Sequence, residues 1–166
     1  RLIELERNDW NMFETSWDFL YNPLLDIDTH RYSINITWKK VFEKWQTMVF
    51  LSKVLEDENN RSFIEAYGLQ DDLTQETPLT EITLYCNPYF RYGANKTKDE
   101  LERMLLADTM REYISYAVGC MFGRYSLDKP GLILANQGET IGDYLVQIPS
   151  PSFIADEDNV IPILDG

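Results

Sequence analysis

Aromatic and basic side chains alternate between residues 87 and 98, the part of the sequence best suited to contact a polyanion. The aromatic residues are Tyr89, Phe90 and Tyr92, and the basic residues are Arg91, Lys96 and Lys98. Aromatic rings can stack on bases, and cationic side chains can pair with phosphates. We therefore predict DNA contacts for Arg91, Tyr92, Lys96 and Lys98. The alternative is an ordinary loop whose rings cover the core.

The remaining reactive residues predict no catalytic, cofactor-binding or metal-binding site. A structural zinc site needs about four clustered Cys or His ligands. Here Cys86 and Cys120 lie far apart and His30 is the one histidine, so we predict no metal and two reduced, buried thiols. The carboxylates at 71–72 and 156–158 are typical of solvated loops. No nucleophile or general base has a credible partner nearby, so the chain alone is predicted to be inactive.

The charge of the chain has the wrong sign for a dedicated DNA-binding module. Fifteen basic and twenty-eight acidic residues give a net charge of −13, whereas a surface that follows phosphates is basic. The imbalance is unevenly distributed. Residues 126–166 hold seven acidic residues and one basic residue, whereas residues 89–124 hold five acidic and six basic residues. This pattern still permits a scaffold within a larger DNA enzyme.

Length and composition predict one domain, or one folded core with an attached extended tail. The 166 residues are 44% hydrophobic and 13% aromatic, which excludes a wholly disordered chain. No apolar run is long enough to span a bilayer and no signal peptide is evident. We therefore expect a cytoplasmic protein without membrane contact. The chain starts at Arg1 rather than at Met, which we interpret as an excised piece of a larger protein.

Helical periodicity dominates the first two-thirds of the chain. We predict a helix within residues 1–25, ending at Pro23, with turns near Asn8 as the alternative. A second helix is predicted from residues 35–37 through Leu55 and on to Gly68, although the polar residues 57–60 could divide it. Residues 81–86 predict a short strand. Residues 97–100 form a capping box that opens a third helix.

The third helix is predicted to kink or break near Asp108, since residues 109–112 form a second capping box there. The apolar face predicted for this helix consists of Ile114, Ala117, Val118, Met121, Phe122 and Tyr125. Gly119 and Gly123, four residues apart, predict close approach of another backbone. Pro130 and Gly131 are predicted to stop the helix.

Beyond Ser126 the proline content rises and the apolar runs shorten, with one helical turn possible at residues 138–145. The predicted fold class is therefore mainly α: a helical bundle-like region with one short strand or hairpin and an extended Pro-containing C-terminal tail. The predicted division is a helical scaffold at residues 1–125 and an extended acidic tail at residues 126–166.

Residues 115–132 resemble, nearly word for word, a segment of the large adenine-specific DNA methyltransferases of bacterial BREX phage-defence systems, the PglX family. Residues 13–19 with 23–25, residues 58–73 and residues 81–84 resemble further blocks of that family, in the same order. The resemblance covers most of the chain and places it beyond the catalytic domain. It implies a parent enzyme that uses S-adenosylmethionine, acts on double-stranded DNA and works with other phage-defence components.

The catalytic signatures of such enzymes are absent from the sequence. There is no glycine-rich cofactor turn, and residues 87–90 carry one proline where the base-binding motif has two. We expect no cofactor bound by this segment, and a turn closing a short strand at Asn87. The resemblance implies a non-catalytic scaffold linking catalytic and target-recognition parts. The alternatives are the same region of a fused type II restriction-modification enzyme, or an acidic protein that mimics DNA.

Overall fold

The computed structural model describes residues 1–25 and 32–156, and helices dominate it. The α-helices are α1 (Leu2–Trp10), α2 (Ile34–Tyr67), α3 (Pro88–Tyr92), α4 (Lys98–Met121) and α5 (Ile141–Gln147), with 3-10 turns at Pro23–Leu25 and Leu79–Glu81. No strand occurs in these two ranges. The mainly α fold class is confirmed, and the predicted strand is not.

The chain forms two compact units that interleave along the sequence. Unit 1 comprises Arg1–Trp10 and Ile27–Asp108, and unit 2 comprises Asn11–Asp26 and Thr109–Gly166. The predicted division at residue 125 falls elsewhere. The predicted first helix ends early, because α1 stops at Trp10, where the chain leaves unit 1.

Helix α2 supplies the core of unit 1 and has no break at its polar residues 57–60. Trp38, Val41, Trp45 and Val49 are buried along one face, and the Trp45 indole meets that of Trp38 edge-on at 5.9 Å. The helix ends at the predicted glycine: Gly68 has φ +67°, and the Leu69 N–H donates to the Ile64 carbonyl (3.0 Å). This is the Schellman arrangement, which Gly permits at no steric cost.

The segment predicted as a strand, residues 81–86, begins at the end of a 3-10 turn and finishes in a turn in which the Asn87 N–H donates to the Leu84 carbonyl (3.0 Å). Ile82, Leu84 and Cys86 are each 1% exposed, and the residues between them face outward or are half-buried. The alternation therefore predicted the burial pattern correctly and the hydrogen bonding wrongly. A carboxylate from α1 accepts the hydrogen bonds of the N–H groups of Tyr85 and Cys86 in this turn.

Helix α4 begins at the predicted capping box. The Thr97 N–H and hydroxyl both donate to Glu100 Oε2 (2.8 Å each), and the Glu100 N–H donates to the Thr97 hydroxyl (3.3 Å). The helix then runs unbroken to Met121, so the predicted break near Asp108 and the second box at Thr109 are wrong. The shift in apolar phase coincides instead with the change from unit 1 to unit 2 at Asp108.

The end of α4 corrects three further expectations. The helix stops at Met121, before the Pro-Gly pair, and Gly123 (φ +74°) terminates it while the Arg124 N–H donates to the Gly119 carbonyl (2.8 Å). Gly131 lies in a later turn, where its N–H donates to the Leu20 carbonyl (2.7 Å). The predicted stripe is also rotated, because Ile114 is 62% exposed whereas Tyr116 and Cys120 are buried.

Gly119 is the point of close approach in α4, but a ring approaches it rather than a backbone. A Cβ atom built on Gly119 would lie 2.5 Å from Tyr125 Cδ2. The Tyr125 ring stacks on Tyr116 at 5.0 Å and meets Phe19 edge-on at 5.5 Å. These buried rings, together with Cys120, form a core cluster of unit 2.

The stretch predicted as an extended tail is folded up to Asp156. Ile133, Tyr144, Ile148 and Ala155 form a second buried cluster of unit 2. Helix α5 is capped by Thr140, whose N–H and hydroxyl donate to Asp143 Oδ2 (2.8 and 2.9 Å). The acidic and apolar residues 157–166, and the connector residues 26–31 with His30, lie outside the described ranges.

Candidate functional site

Two of the four predicted DNA-contact residues are used inside unit 1. Arg91 Nη2 pairs with Asp108 Oδ2 at 3.1 Å, and the Tyr92 hydroxyl donates to the same oxygen at 2.7 Å. The Arg91 guanidinium also lies 4.0 Å from the centre of the Tyr85 ring, and its side chain is 11% exposed. These contacts link α3 to α4, so Arg91 and Tyr92 stabilise the packing of these two helices.

The two predicted lysines are the exposed members of this set. Lys96 Nζ donates to the Tyr92 carbonyl (2.8 Å), and Lys98 is the first residue of α4. Both side chains are exposed and both remain able to meet a phosphate. We therefore keep the DNA-contact prediction and expect the lysines to carry it.

Asn87 has a structural role that occupies its whole amide group. It is fully buried and caps α3, where its Oδ1 accepts from the Tyr89 N–H (3.1 Å). Its Nδ2 donates to the carbonyls of Leu79 (2.7 Å) and Ile82 (2.8 Å). Pro88 occupies the first helical turn, where a missing N–H costs nothing. The expected turn at Asn87 is confirmed, and its amide is already committed.

Asp9 is the polar residue of unit 1 that sequence reasoning missed. It is 3% exposed, and its carboxylate accepts from the backbone N–H groups of Tyr85 and Cys86, the latter at 2.9 Å. Burial raises the pKa of Asp9 above its ordinary value, while these hydrogen bonds and Arg91 act in the opposite direction. The signal was its position, because Asp9 follows Leu5 by one helical turn on the half-buried face of α1.

The chain matches known proteins over nearly its whole length. It is 34% identical over 167 residues, 99% of this chain, to the adenine-specific methyltransferase BrxX of Escherichia coli O9:H4 (strain HS). It is 35% identical over 170 residues, again 99% of this chain, to the adenine-specific methyltransferase PglX of Lacticaseibacillus casei (strain Zhang). The chain matches a PglX-family segment. The resemblance predicted from the sequence is thereby confirmed.

The chain matches only a part of each PglX-family relative. The chain spans 13% of the length of the BrxX relative and 12% of the PglX relative. No protein-family model matches the chain. The similarity therefore extends along the whole of this segment, while seven-eighths of each relative lies beyond it.

Unit 1 of this PglX-family segment contains an apolar cavity of about 280 Å³ between α2, α3 and the start of α4. Its walls are Phe42, Val49, Phe50, Leu79, Pro88, Tyr89 and Leu101, with Gln46, Cys86, Asn87, Lys98 and Glu102 among the remaining lining residues. Lys98 borders this cavity, which the sequence did not predict. Among its polar lining residues, Asn87 uses its amide in hydrogen bonds within the protein.

The thiols of this PglX-family segment are buried and unpaired with each other. Burial raises the pKa of Cys120 and raises that of Cys86 further, where Asp9 adds to the effect. Both thiols are therefore protonated at neutral pH and poor nucleophiles. Within the described ranges no three metal-ligating side chains cluster, and no described helix is long and apolar enough to cross a membrane.

Proposed function

We propose that this PglX-family segment is a non-catalytic helical scaffold of an adenine-N6 DNA methyltransferase that uses S-adenosylmethionine in a BREX-like phage-defence system. In this role it links the catalytic and target-recognition parts of the enzyme, and double-stranded DNA is the substrate of the whole protein. The observation that carries the proposal is the similarity, over 99% of this chain, to two adenine-specific methyltransferases.

The use of the polar side chains supports a scaffold rather than a catalytic part. Asp9, Asn87 and Arg91 are among the buried or nearly buried polar side chains of unit 1, and each bonds to backbone or side chains of the same unit. The described residues also do not fit S-adenosylmethionine, because no glycine among them lies in a strand-to-helix turn. Cofactor binding is therefore assigned to other parts of the enzyme.

Calorimetric titration of the purified chain with S-adenosylmethionine tests the assignment directly. We expect no saturable heat up to millimolar cofactor. A low-micromolar Kd for the isolated chain would overturn the scaffold role.

In the longer methyltransferase, a variant that loosens unit 2, such as Gly119→Val, should lower methylation of a DNA substrate while the Kd for the cofactor stays unchanged.

The exposed lysines provide a separate test of DNA contact. In the longer methyltransferase, the double variant Lys96→Gln/Lys98→Gln should bind duplex DNA more weakly and flatten the salt dependence. Each lost phosphate contact reduces the slope of log K against log salt by about 0.9. The matched control is Lys39→Gln/Lys44→Gln, which removes two exposed charges from α2. Equal loss in both double variants would show a general charge effect rather than a contact at residues 96–98.

A further inference from the structure

The apolar face of α2 extends beyond the part that its own unit covers. Trp38, Trp45 and Val49 are at most 8% exposed. Phe63 and Tyr67 continue the same face at helical spacing, but they are 56% and 72% exposed. Their rings are stacked, with centroids 6.4 Å apart and planes 12° from parallel. Ile64 is the buried residue of these last turns, so the two stacked rings form an exposed apolar surface beside it, of the kind that another molecule covers.

The loop that follows α2 is held at the same end of the helix. Asp57 Oδ1 accepts from the Thr77 N–H (2.7 Å), and Asn60 Nδ2 donates to the Thr77 hydroxyl (3.1 Å). Lys53 Nζ bonds the other Asp57 oxygen at 2.6 Å. The loop contributes Leu73, which is 56% exposed. The exposed, stacked rings of Phe63 and Tyr67 define the α2 end face.

The charge around the α2 end face is strongly negative. Between residues 56 and 76 the one basic residue is Arg61, and the acidic residues are Glu56, Asp57, Glu58, Glu65, Asp71, Asp72 and Glu76. Asp57 is paired with Lys53, and all the others except Glu56 are exposed. Apolar anchors inside an acidic field select a partner by its charge.

We propose that the α2 end face docks a cationic protein segment that presents Lys or Arg beside apolar side chains. The negative field repels nucleic acid and anionic lipid, and a second copy of a chain with net charge −13 is repelled as well. A cationic segment is attracted, and its ammonium or guanidinium groups can lie over the exposed faces of Phe63 and Tyr67. Its apolar side chains would then cover the rings.

A defined peptide tests this surface on the 166-residue chain. The probe is a fourteen-residue amphipathic helix of Leu and Lys, titrated by fluorescence anisotropy, and the same peptide with Glu in place of Lys is the charge control. We expect saturable binding of the Lys peptide and none of the Glu peptide. The variant Phe63→Ser/Tyr67→Ser should weaken binding at least tenfold while its circular dichroism is unchanged.

Two controls make the outcome decisive. Phe90→Ser removes a 42% exposed ring elsewhere in unit 1 and should leave the affinity unchanged. Asp71→Lys/Asp72→Lys should weaken binding and flatten its salt dependence. Equal binding by wild type and Phe63→Ser/Tyr67→Ser overturns the proposal. Self-association in sedimentation that disappears in that variant also overturns it, since the occupant would then be a second copy.

Discussion

Replacement of Asp9 by Ala is expected to destabilise unit 1 by about 3 kcal/mol. The change leaves the buried N–H groups of Tyr85 and Cys86 without their acceptor, and each such group costs about 1–3 kcal/mol. The substitution also removes the desolvation cost of the buried carboxylate, which offsets part of that loss. Urea denaturation followed by tryptophan fluorescence measures it well, because Trp10, Trp38 and Trp45 all lie in unit 1.

Asn at position 9 is the matched variant, since it keeps one acceptor oxygen and removes the titrating group. Burial raises the pKa of Asp9 in the folded state above 3.8, its value in the unfolded chain. The stability that protonated Asp9 contributes is therefore fully present at pH values below the unfolded-state pKa. That contribution is lost as pH rises through the folded pKa. The stability advantage of wild type over Asp9→Asn should therefore shrink as pH rises from below 4 towards neutrality. A gap that widens over this range would contradict the role of burial.

Substitution of Gly119 by Val is expected to destabilise unit 2 by about 3 kcal/mol, the upper end of the usual range for overpacking. Tyr125 Cδ2 lies 2.5 Å from the position of the new Cβ, and the ring cannot move freely because it stacks on Tyr116. Gly119→Ala should cost less, about 1 kcal/mol, since helix propensity returns about 1 kcal/mol. Amide exchange of residues 116–120 measures both losses.

Gly142→Ala is the control for backbone effects in the same unit. Gly142 lies in α5 and is exposed, with only the Thr140 hydroxyl near its missing Cβ, at 3.3 Å. Helix propensity should make this variant neutral or slightly more stable than wild type. If Gly119→Ala and Gly142→Ala behaved alike, the contact between position 119 and the Tyr125 ring would carry no energetic weight.

Local features of the fold were predictable because they depend on residues close in sequence. The capping box at Thr97, the glycine terminus at Gly68 and the buried face of α2 each follow from side chains within one or two helical turns. The family resemblance, carried by blocks such as residues 115–132, was likewise legible in the chain and is confirmed by the relatives.

Features that depend on a distant partner were mispredicted. The alternation at residues 81–86 gave the correct burial of Ile82 and Leu84 but not their hydrogen bonding, because a carboxylate 76 residues away accepts the Tyr85 N–H. The contacts within the candidate site were not predictable either, while its DNA contacts stay a prediction. Arg91 and Tyr92 are suited by residue type to bind DNA, yet both converge on Asp108, one helix further along the chain.

The sequence by itself determined the helical class, the helix-capping devices and the family, because propensity, capping and sequence similarity are properties of short stretches. Only the tertiary structure decided which residues share a unit, that Asp9 accepts from the N–H groups of Tyr85 and Cys86, and which ring fills the space above Gly119. It also decided that the stripe of α2 is covered at Trp45 and bare at Tyr67. The physical reason is that burial and hydrogen bonding depend on which distant residues the folded chain places next to a helix or loop. Periodicity specifies only which side of that helix or loop faces the core.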